Sequence, residues 1–152
     1  MNDWFQETTY FLRKHYRSMH LLKAEIAGLE EAKKTIYEDY PQINWQNPKI
    51  SNRNQPNDPT WRAVARLQTL EQKHIKSKII LEELEGTLKL LTPEERRIFN
   101  LYVKEKRSLR FIAKITGTTE NATKKRLAGI YQKMMIGLVL TKQFESEDRA
   151  NE

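Results

Sequence analysis

Apolar residues recur in alternating steps of three and four along the first forty residues of the chain. Seven of the ten positions on this stripe are apolar, a spacing typical of a helix that packs along one face, as in a coiled coil. They are Phe5, Leu12, Met19, Leu22, Ile26, Leu29 and Ile36, and the polar interruptions are Thr8, His15 and Lys33. Trp4, Tyr10, Phe11 and Tyr16 widen the apolar face at its start. The pattern predicts one long helix over residues 3–40, which Pro41 ends because proline cannot donate to the helical ladder.

Residues 41–58 predict a linker between two helices. They include Pro41, Pro48, Pro56, Asn44, Asn47, Asn52, Asn54 and Asn57, a composition that favours turns and extended chain. Ile43, Trp45 and Ile50 are apolar exceptions that could hold part of the linker against a helix. Asp58-Pro59 is typical of a helix start and predicts a second long helix over residues 59–91, the partner of the first in a hairpin. Its stripe is less regular, which indicates either contacts with more than one neighbour or a bend near Gly86.

Residues 92–140 predict three more helices, each with its own start signal. Thr92, Pro93 and Glu95 form a capping box that opens a helix running through Val103. Ser108 caps a short helix from Leu109 to about Ile115, and Thr119 caps a last helix that runs to about Leu140. Gly117 suits the tight turn between them because glycine adopts a positive φ at little cost, and Ala113 leaves room for a close crossing. A short helix, a tight turn and a longer helix make the helix-turn-helix pattern.

The last helix carries a polar sector with the chemistry of base recognition. At about 100° per residue, Glu120, Asn121, Lys124 and Lys125 share one side with Ala128, and the opposite side holds Thr123, Arg126, Leu127, Ile130 and Met134. Asparagine pairs well with adenine, lysine with guanine, and glutamate accepts from cytosine. The sequence therefore predicts a helix that reads the major groove of double-stranded DNA, and its N-terminus can face a phosphate.

Charge strengthens this interpretation because it is concentrated. The chain of 152 residues has a net charge of +7, and residues 93–140 alone, with 11 basic and 4 acidic side chains, account for the whole excess. Residues 1–60 are neutral, residues 61–92 carry +2, and residues 141–152 carry −2, which predicts an acidic, disordered tail. A positive excess confined to one folded motif favours phosphate contact.

The amino-acid composition disfavours several other classes of fold, binding site and cellular location. With only 5 Gly and 5 Pro, a turn-rich β-sandwich or barrel is disfavoured, and the expected fold is all-α. The absence of Cys excludes disulfides and thiolate metal sites. No apolar run is long enough to span a membrane, and the first residues do not resemble a signal peptide, so we expect a cytoplasmic protein, in a bacterial host cell. His15, His20 and His74 are too scattered for a metal site, and no catalytic constellation stands out. We expect no cofactor and no enzymatic activity.

Residues 90–135 resemble region 4 of sigma factors, the module that reads the promoter −35 element. The resemblance rests on residues 91–98, Ile112-Ala113, Gly117 and residues 123–127. The arrangement of the whole chain is similar to that of phage late-transcription regulators of the RinA and ArpU type. The resemblance implies base-edge contacts by Glu120, Asn121, Lys124 and Lys125. It implies phosphate contacts by Ser108, Arg110 and Thr119.

Two departures from the family pattern change what can be carried over. Thr118 and Thr123 occupy positions that are usually apolar, so their hydroxyls need partners and we expect a looser fold. Glu and Asn stand where promoter-reading versions usually hold Arg, so the target sequence does not follow. Arg126 is a further candidate DNA contact, with a structural ion pair to Glu94 or Glu95 as the alternative.

The leading interpretation is a sequence-specific DNA-binding regulator, an activator of phage late packaging and morphogenesis genes. Its long N-terminal helices would form a homodimer or contact RNA polymerase. One alternative is a DNA-packaging adaptor like a small terminase subunit, which assembles as a ring. Another is a factor that binds RNA polymerase and contacts DNA little.

Overall fold

The computed structural model describes residues 3–48 and 58–151, and within them the chain forms seven α-helices, one π-helix and no β-strand. The all-α prediction is confirmed. The elements are α1 Asp3–Tyr16, α2 Met19–Asp39, α3 Pro59–Lys89, α4 Pro93–Phe99, the π-helix Asn100–Lys104, α5 Leu109–Thr116, α6 Glu120–Gly137 and α7 Val139–Ala150. The linker residues Ile50, Asn52, Asn54, Pro56 and Asn57 lie outside the described residues.

Two compact units divide the chain, and the division passes through helices rather than between them. Unit 1 comprises residues 1–20 and 79–152, and unit 2 comprises residues 21–78. The sequence instead predicts boundaries between segments at residues 40, 59 and 91, where the predicted helices begin or end. Because the first part of α3 belongs to unit 2 and its last part to unit 1, the irregular apolar stripe of this helix serves two sets of neighbours.

The prediction of one uninterrupted helix over residues 3–40 is wrong. Arg17 and Ser18 form a turn between α1 and α2. The hydroxyl of Ser18 donates to the carbonyl oxygen of Lys14 at 2.6 Å, a local bond that competes with the helical ladder. The apolar stripe itself is correct, because every one of its ten positions is buried or half-buried.

Unit 2 has a small core at one end of its two helices. Ile36 of α2 packs with Ala63 and Leu67 of α3, and Ile43 and Trp45 pack against this cluster. The predicted cap at Asp58 is present, since its carboxylate accepts from the backbone N–H of Thr60 at 2.9 Å.

Unit 1 has the larger core, made by α1, the end of α3 and α4 to α7. Its fully buried side chains include Leu12, Leu84, Phe99, Ile112, Leu127, Tyr131 and Met134. Tyr16 joins α1 to α3 by donating its hydroxyl to the carbonyl oxygen of Leu84 at 3.0 Å. Burial raises the pKa of Tyr16, so the hydroxyl keeps its proton and remains a donor.

The helix that begins at Pro93 changes geometry after Phe99. The capping box of Thr92 and Glu95 is present as predicted. From Asn100 the chain forms a π-helix, and the backbone N–H of Glu105 donates to the carbonyl oxygen of Asn100 at 2.9 Å. Two arginine side chains donate to backbone carbonyl oxygens of the π-helix. Arg13 donates to that of Tyr102 at 3.0 Å, and Arg17 donates to that of Lys104 at 2.7 Å. Short π-helical segments occur often at functional sites.

The prediction of a disordered acidic tail is also wrong, because residues 139–150 form α7. The carboxylate of Glu83, on α3, accepts from the backbone N–H groups of Leu140 at 3.2 Å and Thr141 at 2.7 Å. It thereby caps a helix whose preceding residue, Leu138, has no capping side chain. Glu145 further holds α7 through His15 at 3.1 Å. Helix α6 accordingly ends at Gly137 rather than Leu140.

Candidate nucleic-acid interface

Helices α5 and α6 are joined by a tight turn and begin at exposed capping residues. Ser108 accepts from the backbone N–H of Phe111 at 3.0 Å, and Thr119 accepts from that of Ala122 at 3.1 Å. Gly117 ends α5 with a φ of 72°, in the left-handed region where glycine is favoured. Ala113 is buried where the two helices approach. The predicted caps at Ser108 and Thr119 and the predicted turn at Gly117 are confirmed.

A chain of threonine hydroxyls fixes the turn. Thr123 is 1% exposed, and its hydroxyl lies 3.0 Å from the carbonyl oxygen of Thr119 and 3.1 Å from the hydroxyl of Thr118. Thr118 in turn lies 3.1 Å from the hydroxyl of Thr116. The hydroxyls of Thr118 and Thr123 therefore have the partners that they need, and polar bonds hold the turn where a looser fold was the expectation.

The start of α6 presents three of the four predicted base-reading side chains to solvent. Glu120, Asn121 and Lys125 are exposed, while Thr123 and Leu127 on the opposite side are buried. Gln132 is exposed as well, eleven residues after Asn121 and seven after Lys125, spacings that place it on the same strip of a helix. Sequence reasoning did not single out Gln132, although this periodicity was available to find it.

Lys124 is the exception, because α1 covers that side of α6. Lys124 is half-buried, and its ammonium nitrogen lies 5.2 Å from the centre of the Phe5 ring, within the range of a cation–π contact. Tyr131 is fully buried beside it, with its ring 5.1 Å from that of Phe5 and its hydroxyl 2.8 Å from that of Thr9. Burial raises the pKa of Tyr131, and the hydrogen bond with Thr9 opposes the shift. No pattern in the sequence indicates that α1 packs against α6.

Two ion pairs tie α6 to α4. Arg126 contacts Glu94 at 2.9 Å and Lys133 contacts Glu95 at 2.9 Å. Arg126 thus takes the structural partner named as its alternative role, and its side chain is only about a third exposed, at 36%. These pairs orient α6 on α4 and partly neutralise two of its positive charges.

The predicted phosphate-contacting residues lie on the surface. Ser108, Arg110 and Thr119 are all exposed. Each capping bond uses the hydroxyl oxygen of Ser108 or Thr119 as an acceptor, so the hydroxyl proton is available to donate to a phosphate oxygen. The guanidinium carbon of Arg107, the residue before Ser108, lies 5.1 Å from the centre of the Phe111 ring. The exposed surface therefore combines helix starts, hydroxyl donors and basic side chains.

The chain matches no protein-family model, no curated protein and no solved structure. Within residues 3–48 and 58–151, none of the helices is both long and apolar enough to cross a membrane.

Proposed function

We propose that the protein binds double-stranded DNA sequence-specifically through α6 and regulates transcription, as an activator of phage late genes. The observation that carries the proposal is the exposed polar strip of Glu120, Asn121 and Lys125 at the capped start of α6. In a helix-turn-helix the N-terminal residues of the second helix contact base edges. Here α5, the turn and α6 would be that motif.

The charge distribution supports the same proposal. The strip lies in the segment of the chain that carries the whole positive excess, and exposed Ser108, Arg110 and Thr119 flank it at two helix starts. Phosphate contacts of this kind fix the register of a protein on the duplex, while the strip supplies the contacts that distinguish bases.

Binding to DNA from the promoter region of late genes in the parent genome tests the proposal. We expect wild-type protein to bind such a fragment much more tightly than scrambled DNA of equal length. Asn121→Ala should lose about 1–3 kcal/mol of that discrimination, the range for one bidentate base contact. Lys23→Ala, an exposed change in unit 2, is the control. Equal affinity for both DNAs at every salt concentration would rule out sequence-specific recognition.

Assembly is the second part of the proposal. We propose a homodimer formed through α2 and α3, which expose the large apolar side chains of Leu21 (61% exposed) and Ile75 (59% exposed). Light scattering should give the mass of a dimer, and Leu21→Ser with Ile75→Ser should reduce it to that of a monomer. A ring would instead favour the packaging adaptor. Binding to RNA polymerase at salt concentrations that abolish DNA binding would favour the polymerase-binding factor.

A further inference from the structure

A groove of about 620 Å³ in unit 1 lies between α1 and the chain around the π-helix. Its basic lining residues are Arg13, Lys14, Arg17 and Lys106, and Phe5, Tyr10 and Tyr102 also line it. The residues that line it include no Asp or Glu. A concave surface with one sign of charge concentrates counter-ions of the opposite sign, so the groove suits an anion.

The two arginines of the groove donate to backbone carbonyl oxygens rather than to carboxylates. Arg13 donates to the carbonyl oxygen of Tyr102 and lies 4.8 Å from the centre of its ring, and Arg17 donates to the carbonyl oxygen of Lys104. Both acceptors are neutral, so they hold the guanidinium groups in place without neutralising them. The buried Nε of Arg13 has no hydrogen-bond partner among the described residues. Lys14 has one carboxylate nearby, Glu145 at 3.7 Å, and its side chain remains 53% exposed.

Lys106 enters the groove from an unusual backbone conformation. It has a φ of 55°, and among the described residues it is the one non-glycine residue with a positive φ. This conformation is strained for residues other than glycine, and strained residues of this kind concentrate at functional sites. The strained residue is an exposed lysine that lines the groove, at the junction between the π-helix and α5.

Two residues that line the groove adjoin the proposed DNA interface. Phe5 lines the groove, and the ammonium group of Lys124 of α6 lies over its ring. Lys106 also lines the groove, and it is followed in the chain by Arg107 and by Ser108 at the start of α5. Basic residues of α6, of α1 and of the start of α5 thus form a path of positive charge. Such a path fits an extended polyanion, and a DNA strand carries one phosphate about every 3.4 Å.

We propose that α1 is part of the DNA-binding surface, and that this groove takes backbone phosphates flanking the bases that α6 contacts. The inference rests on the proposed function. It gives α1 a role beyond packing in the core of unit 1, since its basic residues would extend the contact along the duplex and add affinity for any DNA sequence.

The test is the salt dependence of DNA binding by the full-length protein. In the double variant Lys14→Gln, Lys106→Gly, the glycine retains the positive φ while the charge is removed. The slope of log K against log salt should fall by about 1.8, which is about 0.9 for each lost phosphate contact. Affinity for specific and scrambled DNA should fall by the same factor, so the ratio between them stays unchanged. Hydroxyl-radical protection should become shorter on one side of the site.

The control is Lys23→Gln, Lys34→Gln, which removes the same charge from exposed residues of α2. The control should keep the wild-type slope. If it lowers the slope as much as the groove variant does, net charge explains the effect and the groove proposal is wrong. A groove variant with wild-type slope and footprint also overturns it, while the DNA-binding function stands. If wild-type protein binds no DNA sequence preferentially, the proposed function itself fails. Circular dichroism checks folding, and Lys106→Gly alone, with an expected loss of about 0.9, replaces the double variant if that unfolds.

Discussion

At the start of α4, the carboxylate of Glu95 has two partners. It accepts from the backbone N–H of Thr92 at 2.9 Å and from the ammonium group of Lys133 at 2.9 Å. Both bonds favour the charged form, so the hydrogen bond from Thr92 and then that from Lys133 hold the pKa of Glu95 below its usual range. A pKa lower in the folded than in the unfolded protein stabilises the fold at neutral pH. That stabilisation is lost as the pH falls through the folded value.

Glu95→Gln should therefore destabilise the protein in a pH-dependent way. Glutamine can still accept from Thr92, so the expected loss at neutral pH is that of the charge interactions, less than about 1 kcal/mol for a pair near the surface. The difference from wild type should begin to shrink as the pH falls below the ordinary glutamate pKa and should be gone below the lower pKa of folded Glu95, because Glu95 is then neutral in both states. Urea denaturation at about pH 7 and about pH 3 measures it. Glu105→Gln, at an exposed position after the π-helix, is the control. A difference that does not change with pH would contradict the assignment.

Gly137 lies so close to the side chain of Thr87, a residue of α3, that a larger residue does not fit there without a shift. A Cβ atom at Gly137 would lie 2.7 Å from the hydroxyl of Thr87, which is held by a bond to the carbonyl oxygen of Glu83 at 2.6 Å. Thr87 is 2% exposed and has little room to move. Gly129, in the same helix, has nothing within 4 Å of such a Cβ. The two glycines of α6 are thus a matched pair.

We expect Gly137→Ala to destabilise the protein by about 1–2 kcal/mol, because overpacking a filled core outweighs the better helix propensity of alanine. Gly129→Ala should stabilise it by about 0.5–1 kcal/mol. Thermal or urea denaturation of both variants gives the comparison. Adding Thr87→Ala to Gly137→Ala should cost less than the sum of the single changes, because the clashing atom is gone. Equal stability of the two alanine variants would show that α3 and α6 do not approach so closely.

At the scale of elements, the sequence predicts a helix start where the start carries its own cap. Asp58, Thr92, Ser108 and Thr119 are local signals, and all four caps form as expected. Helix α7 has no such signal of its own. Its backbone N–H groups bind the carboxylate of Glu83, which lies 57 positions before Leu140 in the chain. The apolar stripe does not predict the break at Ser18, because the stripe continues through it. The apolar periodicity predicts which face of a helix packs. It does not predict whether the backbone hydrogen bonds of the helix continue without a break.

Glu83→Ala should therefore loosen α7. The backbone N–H groups of Leu140 and Thr141 would lose their acceptor, and removal of a capping group costs about 0.5–2 kcal/mol. Hydrogen exchange should accelerate over residues 139–150 while α5 and α6 keep their protection. Glu85→Ala, an exposed change two residues away on the same helix, should leave exchange in α7 unchanged. If both variants behave alike, Glu83 does not cap α7.

At the scale of the molecule, the all-α class, the order of helices α3 to α6 and the exposed strip of α6 all follow from periodicity and local caps. The position of Lys124 does not, because it depends on α1, more than a hundred residues earlier in the chain. The assignment of α3 to two units is also non-local, since Leu67 is buried in unit 2 and Leu84 in unit 1. The candidate site was thus predictable where one segment builds it, and not where a second segment covers it.

The division into two units makes a prediction about DNA binding. Ile36 is buried in unit 2 and Leu127 in unit 1, under the exposed strip of α6. Truncation of either to alanine should cost about 2–5 kcal/mol within its own core. If the DNA surface belongs to unit 1 alone, Leu127→Ala should weaken DNA binding, and Ile36→Ala should leave it unchanged while hydrogen exchange accelerates in residues 21–39. A loss of DNA affinity in Ile36→Ala, together with a fall in mass from dimer to monomer, would instead mean that tight binding needs two copies held together by unit 2.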